Sequence, residues 1–195
     1  MNTLIFEPDG QIRGECTDGF GYLDSLREAG VTLPCKTLVL GAGGASRAVC
    51  AALLDAGCTL TLANRTYSRA ENIVAALGDG DVIDWSRWTD CLAEFDLLVN
   101  TTSLGMTGQE GHDWASCLTK ADEALVVSDI VYMPLETPLL AAARARGLKG
   151  VDGLGMLIHQ ARPGFEAGSV SIPRLIPFCA PVLSRRLSDG VAALT

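Results

Sequence analysis

The chain has 195 residues, 48% of them apolar, and a formal net charge of −8. This length fits one large domain with a substantial core, and the acidic balance excludes a nucleic-acid partner, whose phosphates need a basic surface. Seven cysteines without CxxC spacing, and an N-terminus with neither a basic segment nor an apolar core, indicate a reduced, cytoplasmic setting with no disulfide framework and no signal peptide. No membrane span is expected, since the apolar stretch 170–183 is broken by Pro173, Arg174, Pro177 and Pro181.

Residues 4–6 form a short apolar run closed by Pro8, Asp9 and Gly10, and residues 12–15 are expected to pair with it as a hairpin. Thr17-Asp18-Gly19 then precedes a helical pattern over residues 20–29, with Gly30 as its stop. Read alone, Asp18 is a cap for this helix.

Residues 37–40 read as a buried parallel strand, and they run into Gly41-Ala42-Gly43-Gly44-Ala45. An alanine-rich helix over residues 45–56 follows and ends at Gly57. Gly41 permits a tight turn out of the strand, and Gly43 lets main-chain N–H groups approach a pyrophosphate without a Cβ in the way. Ala45 and Ser46 are small enough for the helix to lie close on the sheet, with its first free N–H groups toward the phosphates. The strand–turn–helix context indicates a dinucleotide site, with Ser46 in place of the third glycine of the usual fingerprint.

The second strand, residues 59–63, ends at Asn64-Arg65-Thr66, with Arg69 one helical turn further on. NAD proteins place a carboxylate about 20 residues past the glycines, where it binds the ribose 2′-hydroxyl. Here the position is Asn64, and no acid follows until Glu71. A carboxylate repels a 2′-phosphate, whereas Arg65 and Arg69, with Arg47 near the turn, clasp one. The expected cofactor is NADP rather than NAD.

A helix over residues 67–77 follows, then a short strand and turn within 81–88. The buried strand 95–99 runs into Asn100-Thr101-Thr102-Ser103-Leu104-Gly105-Met106, so Thr101 and Thr102 are expected on the ribose and nicotinamide side. Strand 125–130 ends at Val131-Tyr132-Met133-Pro134. It is followed by a helix over 137–146, with Pro138 in its first turn, and a last strand at 148–151. Gly153-Leu154-Gly155-Met156 opens a helix carrying His159 and Gln160. Strands alternating with helices over residues 36–151 predict an α/β fold, a Rossmann-type doubly wound, mostly parallel sheet with helices on both faces. His112 and His159 have no carboxylates at ligand spacing, so no metal site is expected.

Several stretches, taken together and in order, resemble the shikimate dehydrogenase family over residues 2–166. They are Asn2-Thr3-Leu4, Thr17-Asp18-Gly19-Phe20-Gly21, the glycine turn through Ala48, Asn64 to Arg69, Asn100 to Met106, Val131-Tyr132 with Thr137-Pro138-Leu139-Leu140, and Gly153 to Gln160. The resemblance implies an enzyme of aromatic amino-acid biosynthesis that reversibly reduces 3-dehydroshikimate to shikimate with NADPH. It implies that Gly41, Ala42, Gly43, Gly44 and Ala45 hold the pyrophosphate, and that Asn64, Arg65, Thr66 and Arg69 hold the 2′-phosphate. Ile130 and Gly153 would meet the nicotinamide end through the main chain, with Met156 packed nearby. Asn2, Asp18, Tyr132 and Gln160 would bind the substrate ring. Asp18 would share the handling of the proton with a lysine of the family's preceding domain, while the cofactor supplies only hydride.

The family places a substrate domain of roughly a hundred residues before the Asn-Thr motif, where this chain has Met1. The expectation is therefore a truncated chain lacking the catalytic-lysine domain. Residues 1–34 would be a junction remnant and linker helix, 35–152 the NADP-binding domain, and 153–195 a helix returning to the substrate side followed by an irregular tail. Lys36, Lys120 and Lys149 match no family motif, Cys16 replaces an asparagine, and residues 171–181 carry three prolines where the family has a closing helix. An apolar surface around Leu4, Phe6, Tyr132 and Phe165 is expected to be exposed, open to the missing domain or to self-association. Two alternatives stand beside this reading: a catalytically inactive NADP-binding fragment, and a quinate/shikimate-type paralogue.

Overall fold

The computed structural model describes residues 1–7, 9–108 and 112–168; the expected irregular tail lies outside the described residues. The chain opens with the expected hairpin. Strand β1 (Thr3–Phe6) pairs antiparallel with β2 (Ile12–Glu15), with Leu4 opposite Gly14 and Phe6 opposite Ile12. Helix α1 (Asp18–Glu28) follows.

Six strands then form one parallel sheet: β3 (Lys36–Leu40), β4 (Thr59–Asn64), β5 (Asp81–Asp84), β6 (Leu97–Asn100), β7 (Val126–Asp129) and β8 (Lys149–Val151). Their spatial order is β5-β4-β3-β6-β7-β8, and every neighbouring pair is parallel. This is the doubly wound arrangement the alternating pattern predicts. Helices α2 (Gly44–Asp55), α3 (Tyr67–Leu77), α4 (Trp114–Cys117), α5 (Pro138–Ala145), α6 (Gly153–His159) and α7 (Ala161–Gly168) complete it.

The central strands are unbroken apolar runs because both faces of the sheet are covered. Side chains alternate between the faces with period two. Val39, Leu60, Leu62, Leu97 and Val99 join Tyr22, Leu26, Val49, Leu53 and Met156 on one face, beneath α1, α2, α3 and α6. Leu38, Leu40, Leu98 and Val127 join Trp88, Trp114, Leu118 and Leu139 on the other. Helix α1 belongs to the first core: Tyr22 and Leu26 are buried. A hydrogen bond between Glu28 and His159 at 2.7 Å and an ion pair of Asp24 with Arg162 at 3.7 Å tie it to the C-terminal helices.

Two features depart from expectation. Helix α1 begins at Asp18 rather than Phe20, and its N-cap is Thr17, which makes no side-chain cap bond. The capping role read for Asp18 is thereby overturned: a residue inside the first turn has its own N–H among the free donors and cannot cap from outside. Helices α4 and α7 were not anticipated. The Asp113 side chain caps α4 by accepting from the Ser116 N–H at 3.1 Å, and α7 carries an Arg162–Glu166 pair at i,i+4 spacing.

Leu4, Phe6 and Ile12 share one face of the hairpin and are exposed, as are Tyr132 and Phe165. Among the described residues no helix is long and apolar enough to cross a membrane. Because α1 is packed into the sheet's core, Leu26→Ala is expected to lower unfolding stability by about 2–5 kcal/mol. Urea denaturation followed by circular dichroism should show one transition at a lower midpoint; a transition confined to a small fraction of the signal would mean that α1 melts separately from the sheet.

Candidate functional site

Strand order reverses between β3 and β6, so a crevice opens at their carboxyl ends. The glycine turn lies there. Gly41 has φ +108°, and a Cβ built on it would lie 2.7 Å from the Thr101 hydroxyl, so only glycine fits. Among the described residues, a Cβ on Gly43 or Gly44 would meet no atom within 4 Å beyond its own chain neighbours and helix, so these two glycines face open space there at the start of α2. Ser46 is buried, and its hydroxyl donates to the Gly41 carbonyl at 2.7 Å. The residue that replaces the third glycine thus locks the turn to the helix. Across the crevice, the Thr101 hydroxyl donates to the Leu40 carbonyl at 2.7 Å, so its proton is committed to holding β6 against β3.

At the end of β4 the Asn64 amide donates to the Thr66 carbonyl at 2.8 Å and shapes the turn into α3. Arg65, Arg69 and Arg47 are exposed, and among the described residues none has a carboxylate within salt-bridge distance. In sequence the nearest acid after Asn64 is Glu71, but in space there is a nearer one, because the parallel register pairs Asn64 with Asp84.

On the far side of the crevice, the hairpin and α1 bring Asn2 onto Asp18. The Asn2 amide donates to Asp18 Oδ1 at 2.7 Å and to Thr17 Oγ1 at 3.0 Å, while Asn2 Oδ1 accepts from the Thr17 N–H at 3.0 Å. The Cys16 thiol faces the second Asp18 oxygen at 3.6 Å. Gln160 follows α6, which packs tightly on α1: a Cβ at Gly21 would lie 2.6 Å from Gln160 N and 2.7 Å from the Met156 carbonyl oxygen. Glycines also mark the neighbouring crossings, with a Cβ at Gly19 falling 2.8 Å from the Ala48 carbonyl oxygen and one at Gly155 falling 2.9 Å from Ser25 Cβ. The spacing of Thr17-Asp18-Gly19-Phe20-Gly21 therefore has a packing cause: one residue type carries the carboxylate and the other lets two helices meet. At Gly153 a Cβ would fall 2.2 Å from the Ile130 carbonyl oxygen, so the start of α6 rests directly on the loop after β7. Tyr132, on that loop, is exposed.

Three buried polar residues were not singled out from the sequence. Asn100, Asp129 and Thr137 form a hydrogen-bonded cluster behind the loops. Burial pushes the Asp129 carboxyl above its ordinary range, while bonds from Thr137, Val131 and Asn100 pull it down. An acid closing an apolar strand was the readable signal. The Cys50 thiol is no nucleophile, since burial pushes it up to about 11 and it stays protonated at neutral pH. Among the described residues no group of three or more His, Cys, Asp or Glu is placed to hold a metal ion.

The sequence profile described as shikimate / quinate 5-dehydrogenase matches residues 27–134. The chain belongs to this family. It is 55% identical over 167 residues to the NADP(+) shikimate dehydrogenase of Gluconobacter oxydans, covering 86% of this chain and 60% of that one. Among solved structures, the shikimate 5-dehydrogenase of Thermus thermophilus, in complex with NADP(H) and shikimate, superimposes with a TM-score of 0.78 at 34% identity. That match covers 94% of this chain and 67% of the other. The quinate dehydrogenase of Corynebacterium glutamicum, in complex with NAD, gives 0.77 at 33% identity, covering 97% and 66%. The chain spans about 60% of the length of the curated relatives it matches.

The α1–α6 contact joins the helix that opens with Asp18 to the one that Gln160 follows. Replacing a helical glycine by alanine ordinarily gains up to about 1 kcal/mol. At Gly21 the new methyl meets main-chain atoms that cannot swing away, so Gly21→Ala is expected to destabilise by about 1–3 kcal/mol. Gly164→Ala, at a site in α7 where among the described residues no atom outside its own helix and neighbours lies within 4 Å, is the control and should be neutral or stabilising. Thermal unfolding of the two variants checks the sign at each position.

Proposed function

We propose that this chain is the NADP(H)-binding part of a shikimate dehydrogenase that interconverts 3-dehydroshikimate and shikimate in aromatic amino-acid biosynthesis. The observation that carries this reading is the end of β4, where Asn64 stands in place of a carboxylate and Arg65, Arg69 and Arg47 are exposed and unpaired among the described residues. Guanidinium groups offer bidentate, charge-assisted hydrogen bonds to a 2′-phosphate. In this reading Gly41, Ala42, Gly43, Gly44 and Ala45 receive the pyrophosphate, and Asn64, Arg65, Thr66 and Arg69 receive the 2′-phosphate. Thr101 borders the ribose, and Ile130 and Gly153 border the nicotinamide through their main chain, with Met156 packed nearby. The cofactor, when bound, supplies hydride. Asn2, Asp18, Tyr132 and Gln160 orient the substrate ring. Asp18 serves the proton that the developing alkoxide requires; Asn2 holds its Oδ1, and the Cys16 thiol faces the Oδ2 at 3.6 Å.

Six free cysteines among the described residues suit a reducing cytoplasm. The exposed apolar face of the hairpin, with Tyr132 and Phe165, suits a substrate-side domain or a second copy of the chain. In that frame residues 1–34 form the junction and 35–152 the cofactor domain. A second reading has one observation in its favour: Asp84, in register with Asn64, is a carboxylate that can take a ribose 2′-hydroxyl, which would suit NAD and a quinate-type enzyme.

Arg65→Ala decides between the two. It is expected to weaken NADPH binding by about 1.5–3 kcal/mol, the worth of a charge-assisted bond, and to leave NADH binding unchanged. Fluorescence titration with both cofactors measures this. Equal losses, or a loss of NADH binding in Asp84→Ala with NADPH unaffected, would overturn the NADP reading.

The resemblance gives Asp18 a lysine partner, and none of the three lysines stands near it. Lys36 and Lys149 open β3 and β8 at the amino edge of the sheet, and Lys120 pairs with Asp90 at 2.6 Å. Loss of such acid–base help costs about 10²–10⁴-fold in rate, and lost positioning of the substrate adds to that. The chain by itself is therefore expected to bind NADPH but not to oxidise it with 3-dehydroshikimate at an enzymatic rate. An absorbance assay checks this, and turnover of several per second or more would mean that Asp18 needs no lysine or that a second copy supplies one.

A further inference from the structure

We propose that Asp129 is a positioning residue for the nicotinamide half of the cleft, a single buried carboxylate that fixes the loops after β6 and β7 and the start of α5 to one another. The proposal rests on the dinucleotide reading above.

Asp129 closes β7 and is wholly buried. Its Oδ1 accepts from Asn100 Nδ2 at 3.0 Å and from the Val131 N–H at 3.1 Å, and its Oδ2 accepts from the Thr137 hydroxyl at 2.7 Å. Each partner passes the hold onward. Asn100 Oδ1 accepts from the Thr102 N–H at 3.1 Å and from the Thr102 hydroxyl at 2.7 Å, and Asn100 Nδ2 donates to the Leu104 carbonyl at 3.1 Å. The turn after β6 is thereby closed on itself and pinned to β7. Thr137 Oγ1 accepts from the Leu140 N–H at 3.3 Å, which places the first turn of α5.

Ile130 sits between the two anchored positions. Its own N–H donates to the Asn100 carbonyl at 3.1 Å, and its carbonyl is the one against which Gly153 packs. The register of α6, and so of Gln160, thus depends on a main-chain segment that Asp129 holds from behind. Bonds arriving from three directions need an acceptor with two oxygens and several lone pairs, which a carboxylate has and an alcohol lacks. The three links share one acceptor group, so removing the carboxylate removes all of them at once, whereas removing one partner removes one link. The adenosine half of the cleft, Asn64 through Arg69, has no hydrogen bond into this cluster.

The test uses the whole chain as wild type and as Asp129→Ala, Asp129→Asn and Thr137→Val. Each is titrated with NADPH and with adenosine 2′,5′-bisphosphate, which carries the adenosine half alone, and amide hydrogen exchange is followed in parallel. Asp129→Ala is expected to weaken NADPH by about tenfold or more, the scale of losing bonds to a charged acceptor, while the bisphosphate affinity stays the same. Exchange should speed up at Thr102, Leu104 and Val131 and stay unchanged over residues 64–69. Thr137→Val should give a smaller loss of the same pattern. Asp129→Asn keeps an acceptor for Asn100 and Val131 and should recover most of the NADPH affinity.

Equal losses for both ligands would show general destabilisation and overturn the assignment, as would an Asp129→Ala variant indistinguishable from wild type. If wild type binds neither ligand, the dinucleotide reading fails and the assignment fails with it. If wild type binds both and only the variants behave otherwise than expected, the assignment alone is overturned.

Discussion

Between β3 and β6 the order of the sheet reverses, so the chain leaves these two strands toward opposite faces and a crevice opens at their carboxyl ends. The rest of the structure depends on how that seam is held. Main-chain bonds join the strands as far as the Thr101 N–H, which donates to the Leu40 carbonyl at 2.9 Å, and side chains reinforce the seam there. Thr101 reaches back to the Leu40 carbonyl and Ser46 to the Gly41 carbonyl. These short bonds let a glycine with a positive φ sit against a threonine hydroxyl without the loop drifting. The start of α2 and its free N–H groups are thereby aimed along the crevice.

The Asn2–Asp18 contact is built differently. It lies outside the six-stranded sheet, with Asn2 extending the hairpin ladder through its N–H to the Glu15 carbonyl at 2.9 Å. The two residues meet because the hairpin and the first turn of α1 cross, with one asparagine side chain bonding to Thr17 through both its oxygen and its nitrogen. Close helix packing then carries Asp18 to the rest of the cleft: glycines in α1 let α2 on one side and α6 on the other approach to main-chain contact. A site assembled this way is sensitive to methyl-sized changes far from any reacting atom, because helix spacing transmits them directly.

Charge is distributed to match. The chain is acidic overall, yet three arginines are exposed around the turn after β4 and the start of α2. A locally positive mouth on a negative molecule concentrates anionic ligands there. Asp84, in register with Asn64, places a negative charge at one corner of that field.

The strand–turn–helix around Gly41, the parallel sheet and the turn after β4 were legible in the sequence because each is written in neighbouring residues. Short apolar runs such as Leu38-Val39-Leu40 and Leu97-Leu98-Val99 mark strands buried on both faces, glycines mark the turn, and Arg65 follows the end of β4 directly. The helix at Trp114 was legible only in part, since a four-residue helix has no period to read and only Asp113 signals it. What tertiary structure alone decided lies between residues distant in sequence. Asp18 reads as a cap until α1 is found to begin at it, and only the fold brings Asn2, 16 positions away, onto its carboxylate. Asp84 is invisible as a neighbour of Asn64 until the register of β4 and β5 is set. Asn100, Asp129 and Thr137 look like three unrelated polar residues until β6 and β7 lie side by side. Local pattern encodes which element forms and which face it buries, because those follow from backbone periodicity and solvation. Hydrogen bonds between elements follow from strand order and register, and these are fixed only when the core packs.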